Sequence, residues 1–182
     1  MAEAIEKVPA ETRSEIAAKG LTGAITAIDK ALKDAIGENK FNEFAQELWY
    51  ETGKGAKEFA DNFGLATENA IDIVEVLKLL SITAMGPEFK FEIIEATEDR
   101  CVGRTTMCPW HERWKEFGFK EEFCNSGHQA WGDGAVESLN PNFTFRLIKN
   151  MQLGDSYCEW AVERKESSLI NVCCPPCHPR LS

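Results

Sequence analysis

The sequence predicts an α+β domain in which a helical N-terminal half packs on a four-stranded antiparallel sheet. Through residue 87, apolar residues recur at helical spacing. Between residues 88 and 166, apolar and polar residues alternate in four segments, which predicts four strands. Two further helical stretches separate the first pair of strands from the second, which gives the order α-α-α-α-β-β-α-α-β-β. With 43% hydrophobic and 27% charged residues, the composition is that of an ordinary globular protein. Two hairpins covered by helices make an α+β fold.

Four helices are predicted before residue 88. The first carries an apolar stripe of 3.6-residue period and ends at Gly37. The fourth opens with a capping signature at Thr67 and is ended by Gly86-Pro87. The predicted helices cover residues 12–36, 42–50, 56–63 and 67–85.

In the second half of the chain, apolar and polar residues alternate, which is the pattern of β-strands. In "EFKFEIIEATEDR" the aromatic and aliphatic side chains fall on one face, and "CVGRTTMC" is its predicted hairpin partner. Pro109 is suited to the first turn of a helix, and an irregular helix follows before the turn at Asn140-Pro141. The segments flanking "LGDS" predict a second hairpin. We therefore expect a single domain made of residues 1–87 and 88–166, followed by a Cys-rich tail, 167–182.

The net charge of the chain argues against two classes of binding partner. The formal net charge of −10 argues against nucleic acid and against an anionic membrane surface, because both need a basic face. The first twenty residues lack the pattern of a secretory signal, and no window is apolar enough to span a bilayer. The expectation is a cytoplasmic protein.

The cysteines and histidines all follow residue 100, and seven cysteines in a reducing compartment favour metal or thiol chemistry over disulfides. Cys108-x2-His111 and Cys124-x3-His128 have the spacing of paired zinc ligands. Cys158, on the last predicted strand, is a fifth candidate ligand. The alternative is that these cysteines are packed as small hydrophobic residues and the histidines lie at the surface.

A hydrolase would need a cysteine nucleophile or a metal-bound water, since no phosphate loop, Ser-His-Asp order or HExxH motif is present. The candidate catalytic residues are Cys124, Cys158 and Asp133, and the protons would be handled by Asp133, by Glu112 or by a histidine.

The tail contains "CCPPCH", which fits the attachment motif of c-type haem. The missing export signal and the two prolines argue against haem. Zinc or an iron–sulfur cluster, held alone or with a protein partner, and a reactive tail without metal are the alternatives. The candidate ligands are Cys173, Cys174, Cys177 and His178.

Residues 108–163 resemble the family named for L-2-amino-thiazoline-4-carboxylic acid hydrolase. The likeness is carried by Cys108-Pro109, Cys124, Asn140-Pro141, and Gly154-Asp155 followed by Cys158 and an aromatic residue. The resemblance implies a related fold and hydrolytic opening of a thiazoline ring. The layout is also similar to four-vinyl-reductase domains and to a TRAPP subunit family, which implies a small apolar ligand between helices and sheet.

The main hypothesis is thus a small-molecule-binding domain, with a pocket between the N-terminal helices and the sheet, that hydrolyses a C–N bond. The alternatives are a non-enzymatic metal or iron–sulfur protein serving a redox or cofactor-assembly system, and a ligand-binding module with structural cysteines.

Overall fold

The computed structural model of the protein describes residues 5–118 and 123–166, except for the side chains of residues 123–125. The helices are α1 (Ala10–Ile36), α2 (Glu38–Gly53), α3 (Gly55–Phe63), α4 (Ala70–Met85), α5 (Pro109–Glu116) and α6 (Phe123–Leu139). The strands are β1 (Lys90–Ala96), β2 (Arg100–Met107), β3 (Phe143–Lys149) and β4 (Cys158–Arg164). Within these ranges no helix is long and apolar enough to cross a bilayer.

The predicted α+β order is confirmed, and local signals explain most helix ends. Pro109 occupies the first turn of α5, and Gly64 ends α3 in the left-handed conformation at φ 62°. The predicted cap at Thr67 is wrong by two residues. Asn69 caps α4, because its Oδ1 accepts the backbone N–H groups of Ile71 and Asp72 at 2.9 and 3.0 Å.

The sheet is antiparallel with the order β1-β2-β4-β3. Both predicted hairpins form, and they join through β2 and β4, which places Gly103 opposite Trp160 and Thr105 opposite Cys158. Helices α4 and α6 cover one face. On that face Phe91 and Phe145 lie against Trp160, with ring centroids 5.2 and 5.4 Å away. A side chain at Gly103 would overlap Phe91, so this glycine makes room for the aromatic row.

Helices α2 and α6 cross with their backbones in close contact. A methyl group at Gly53 would overlap the carbonyl oxygen of Trp131, and one at Gly134 would overlap the carbonyl oxygen of Tyr50. Both glycines are buried. The crossing therefore requires glycine on each helix, and it fixes how far α6 lies from the helical N-terminal half.

Helix α1 buries a different face from the one its apolar stripe suggests. Ile16, Leu21 and Ile28 are exposed. The hydroxyls of Thr22 and Thr26 bond to carbonyls four residues back in their own helix, at 2.9 and 2.8 Å, so burying them leaves no polar group unsatisfied. The buried residues of α1 are Ala18, Thr22, Thr26 and Asp29.

We expect Gly134→Ala to lower the free energy of unfolding by about 2–4 kcal/mol, because the new methyl group must separate α2 from α6. Gly20→Ala is the matched control, since, apart from the adjoining residues of α1 itself, no atom of the described residues would lie within 4 Å of a methyl group added at Gly20. It should instead raise stability by about 0.5–1 kcal/mol. Urea denaturation measures both, and equal effects would contradict the close crossing.

We expect Asp29→Asn to stabilise the protein above about pH 6. Burial raises the pKa of Asp29 from 3.8 to about 6, and its Oδ2 has no hydrogen-bond partner among the described residues. Because the folded chain holds this proton to higher pH than the unfolded chain, stability falls between these two pKa values as pH rises.

Relative to the wild type, the free energy of unfolding of Asp29→Asn should be higher by about 1–3 kcal/mol at pH 7.5 and almost unchanged at pH 3.5. Thermal unfolding at the two pH values measures the difference. Asp34→Asn, at an exposed position of α1, is the control and should show no such difference. An equal gain at both pH values would refute the assignment.

Candidate functional site

A cavity of about 340 Å³ lies between the helices and the covered face of the sheet. All five tryptophans of the chain line it. The rings of Trp49 and Trp110 meet edge to face with their centroids 5.6 Å apart, and the ring centroids of Trp110 and Trp114 are 6.4 Å apart. The lining residues are Trp49, Thr52, Gly55, Leu80, Ser81, Ala84, Met85, Phe89, Thr105, Cys108, Trp110, His111, Trp114, Gly127, His128, Trp131, Asn150, Gln152, Cys158 and Trp160.

Helical spacing places several of these side chains. On α4, four lining residues follow the i, i+1, i+4, i+5 pattern from Leu80 to Met85, so one face of that helix forms a wall. On α6, Gly127, His128 and Trp131 form the opposite wall. The cavity thus lies where the sequence predicts a pocket, between the helical half and the sheet.

Two thiols reach the cavity. Cys108 is the residue before α5, and burial raises its pKa to about 11, although the backbone amides of His111 and Trp110 partly oppose the shift. Cys158 is buried at the start of β4, and burial likewise raises its pKa. Its sulfur accepts the Met151 N–H at 3.4 Å and contacts Asn150 Oδ1 at 3.8 Å. Both thiols are therefore protonated at neutral pH.

Both described histidines also line the cavity. Burial lowers the pKa of His128 to about 4, and its ring lies 5.6 Å from that of Phe145. For His111, burial and the nearby charge of Lys115 lower the pKa. The buried Nδ1 of His111 has no hydrogen-bond partner among the described residues. Both imidazoles are neutral at pH 7.

Asn150 is the most buried polar residue of the lining, at 2% exposure. Its Oδ1 accepts the Gln152 N–H at 2.9 Å, and its own backbone N–H donates to Asp155 Oδ2 at 2.8 Å. Its Nδ2 has no partner in the described part of the chain. A buried amide with two free N–H donors is costly unless a bound molecule accepts from it.

The described lining therefore carries no formal charge at neutral pH. It contains no Lys, Arg, Asp or Glu, its thiols are protonated and its imidazoles are neutral. An ionised ligand would lose its hydration here without gaining a counter-charge.

The sequence-predicted site residues are partly brought together. Cys108, His111, His128 and Cys158 all line the cavity. Even so, the described residues contain no group of three or more His, Cys, Asp or Glu side chains placed to hold a metal ion. Cys124 lies on α6, but its side chain is outside the described part, so its predicted roles as ligand and nucleophile stay predictions.

Asp133 does not join these residues. It borders a separate pocket with Gln46 and Ser126, and it accepts a hydrogen bond from Gln129 Nε2 at 2.9 Å. Burial raises its pKa. The structure thus separates this predicted proton carrier from Cys158.

The tail lies outside the described residues. The predicted cluster of Cys173, Cys174, Cys177 and His178, its metal or iron–sulfur cluster, and its protein partner therefore stay predictions.

The tryptophan lining and Asn150 were not predicted as site residues. The tryptophans occur on α2, α5, α6 and β4, so no short motif unites them. Asn150 begins the turn before Gly154, and an asparagine in a turn ordinarily indicates only backbone capping.

Two solved structures show the same fold. The phenol-responsive sensory domain of the transcription activator PoxR, solved with phenol, has a TM-score of 0.59 and 13% identity, covering 79% of this chain and 74% of that one. A trafficking protein particle complex subunit 3 from Naegleria fowleri, covalently bound to palmitic acid, has a TM-score of 0.57 and 16% identity, covering 83% of this chain and 96% of that one. No curated protein matches the sequence significantly.

A family model describes the chain more directly. The model for L-2-amino-thiazoline-4-carboxylic acid hydrolase matches residues 17–161. This range runs from α1 into β4 and includes every residue named in the cavity lining. The chain belongs to the L-2-amino-thiazoline-4-carboxylic acid hydrolase family.

Proposed function

We propose that this protein binds a small, neutral and mainly apolar organic molecule in the tryptophan-lined cavity. The observation that carries this proposal is that all five tryptophans of the chain line one cavity. A cavity of about 340 Å³ is within the range of small-molecule sites. Aromatic walls offer a ring or a short hydrocarbon a large apolar contact area.

The charge of the lining favours a neutral ligand. The acid that gives the family its name carries a carboxylate, and the described lining offers no cation to pair with it. Burying an unpaired carboxylate costs several kcal/mol or more. We therefore infer that the preferred ligand differs from that acid in charge.

The structural neighbours are consistent with this proposal. The PoxR sensory domain holds phenol, and the Naegleria fowleri subunit holds palmitic acid. At 13% and 16% identity they share only the fold with this chain, so they support a pocket that takes organic molecules and not a particular ligand.

We expect Ser81→Phe to weaken binding of the neutral bicyclic ketone 1-indanone by about tenfold or more, because the phenyl group enters the cavity from α4. Isothermal titration calorimetry measures the affinity, and tryptophan emission reports binding at the site. Ser14→Phe, at an exposed position of α1, is the matched control and should bind like the wild type. Unchanged binding in Ser81→Phe, or no binding to the wild type, would contradict the proposed site.

A second candidate function is hydrolysis of a C–N bond. The specific observation is that Cys108 and His111 border the same cavity, and that the His111 Nδ1 has no hydrogen-bond partner in the described part of the chain. A neutral imidazole can take the proton of a thiol as the sulfur attacks the carbon of the C–N bond, and it can return that proton to the nitrogen as the C–N bond breaks. Water, deprotonated by the same imidazole, then cleaves the new C–S bond and restores the thiol. Because burial raises the pKa of Cys108 to about 11, the thiolate has to form during the reaction.

If the protein hydrolyses 2-aminothiazoline-4-carboxylic acid, Cys108→Ala should lower turnover by about a hundredfold or more while 1-indanone still binds. Asp133→Asn, outside the cavity, is the control and should keep turnover. Release of the ring-opened product is followed by mass spectrometry. Turnover in the wild type would show that the cavity accepts a carboxylate despite its neutral lining. Absence of turnover would exclude this acid as a substrate, and full turnover in Cys108→Ala would reject the role of Cys108.

A further inference from the structure

We propose that the Asn150 side-chain amide is the polar anchor of the cavity, and that the ligand is a neutral ring compound carrying a carbonyl or comparable hydrogen-bond acceptor. This inference rests on the proposed binding function and adds to it the chemical class of the ligand. It depends on a buried polar atom and its surroundings.

The orientation of Asn150 is fixed by its own hydrogen bonds. Its Oδ1 must be the atom that accepts the Gln152 N–H, because an amide nitrogen cannot accept that proton. Its backbone oxygen accepts the Leu153 N–H at 2.9 Å and the Asp155 N–H at 3.3 Å. The turn that joins β3 to β4 therefore holds the Asn150 backbone at both its N–H and its C=O. The Asn150 Nδ2 is the group that has no partner among the described residues.

A second contact strengthens the amide as a donor. The Cys158 thiol, protonated at neutral pH, contacts Asn150 Oδ1 at 3.8 Å and is oriented by the Met151 N–H, which the sulfur accepts. Donors that converge on an amide oxygen polarise the amide and make its N–H groups better donors. Cys158 thus acts on a ligand through Asn150.

The rest of the lining is less selective. The Thr52 hydroxyl already donates to the Trp49 carbonyl oxygen at 2.9 Å. The hydroxyls of Ser81 and Thr105 can rotate and serve as donor or acceptor, so they suit many ligands. The Asn150 Nδ2 can only donate, and Asn150 is 2% exposed, so its side chain is almost fully shielded from solvent. An apolar ligand would leave it unpaired, whereas a carbonyl oxygen would satisfy it without bringing in a charge.

The test compares 1-indanone with indane, which has the same ring system without the oxygen. Calorimetry on the full-length wild type should show about a five- to hundredfold preference for 1-indanone. Asn150→Asp keeps an oxygen for the Gln152 N–H and removes the donor, so it should bind both probes alike. Asn142→Asp, exposed on the turn before β3, is the matched control and should keep the preference.

A direct measurement does not depend on any variant. In ¹⁵N-labelled wild type, the Asn150 side-chain amide signal should shift with 1-indanone and stay in place with indane. Equal wild-type affinities, an unmoved amide signal, or a preference that survives in Asn150→Asp would each overturn the role of Asn150 while leaving the binding function intact. Failure of both probes to bind would instead refute the proposed function.

Discussion

The close crossing of α2 and α6 is the constraint on which the cavity depends. Gly53 and Gly134 let the two backbones touch, which ties the helical half of the fold to the helix that covers the sheet. The same two helices contribute Trp49 and Trp131 to the cavity. A larger distance between α2 and α6 would move Trp49 and Trp131 apart. The two glycines therefore set the width of a cavity that is lined by much larger side chains.

The cavity is neutral because its titratable groups are buried. Burial raises thiol pKa values and lowers imidazole pKa values, and here both effects favour the uncharged form. Among the polar groups that remain, the Nδ2 of Asn150 has no partner in the described residues. The result is a mainly apolar space whose polar atoms carry no charge, an arrangement that discriminates by charge first and by hydrogen bonding second.

The elements of this fold were predictable because each depends on local periodicity, and both hairpins and all described helices follow from it. The buried face of α1 was not, since Ile16 and Ile28 are as apolar as any core residue and only the neighbouring helices decide that Thr22 and Thr26 turn inward. The location of the cavity, between the N-terminal helices and the sheet, was predictable. Its lining was not, because it is assembled from residues between Trp49 and Trp160 that meet only in three dimensions.

The pairing of β2 with β4 has a consequence for folding. Each hairpin can form from neighbouring sequence, but α5, α6 and β3 lie between Thr105 and Cys158 in the chain, so the pairing of these two residues is a long-range contact. Both residues line the cavity, so a partly folded chain that holds one hairpin has no complete site. A molecule that binds here therefore binds the native state and not such an intermediate. Its binding raises the free energy of unfolding of the whole domain.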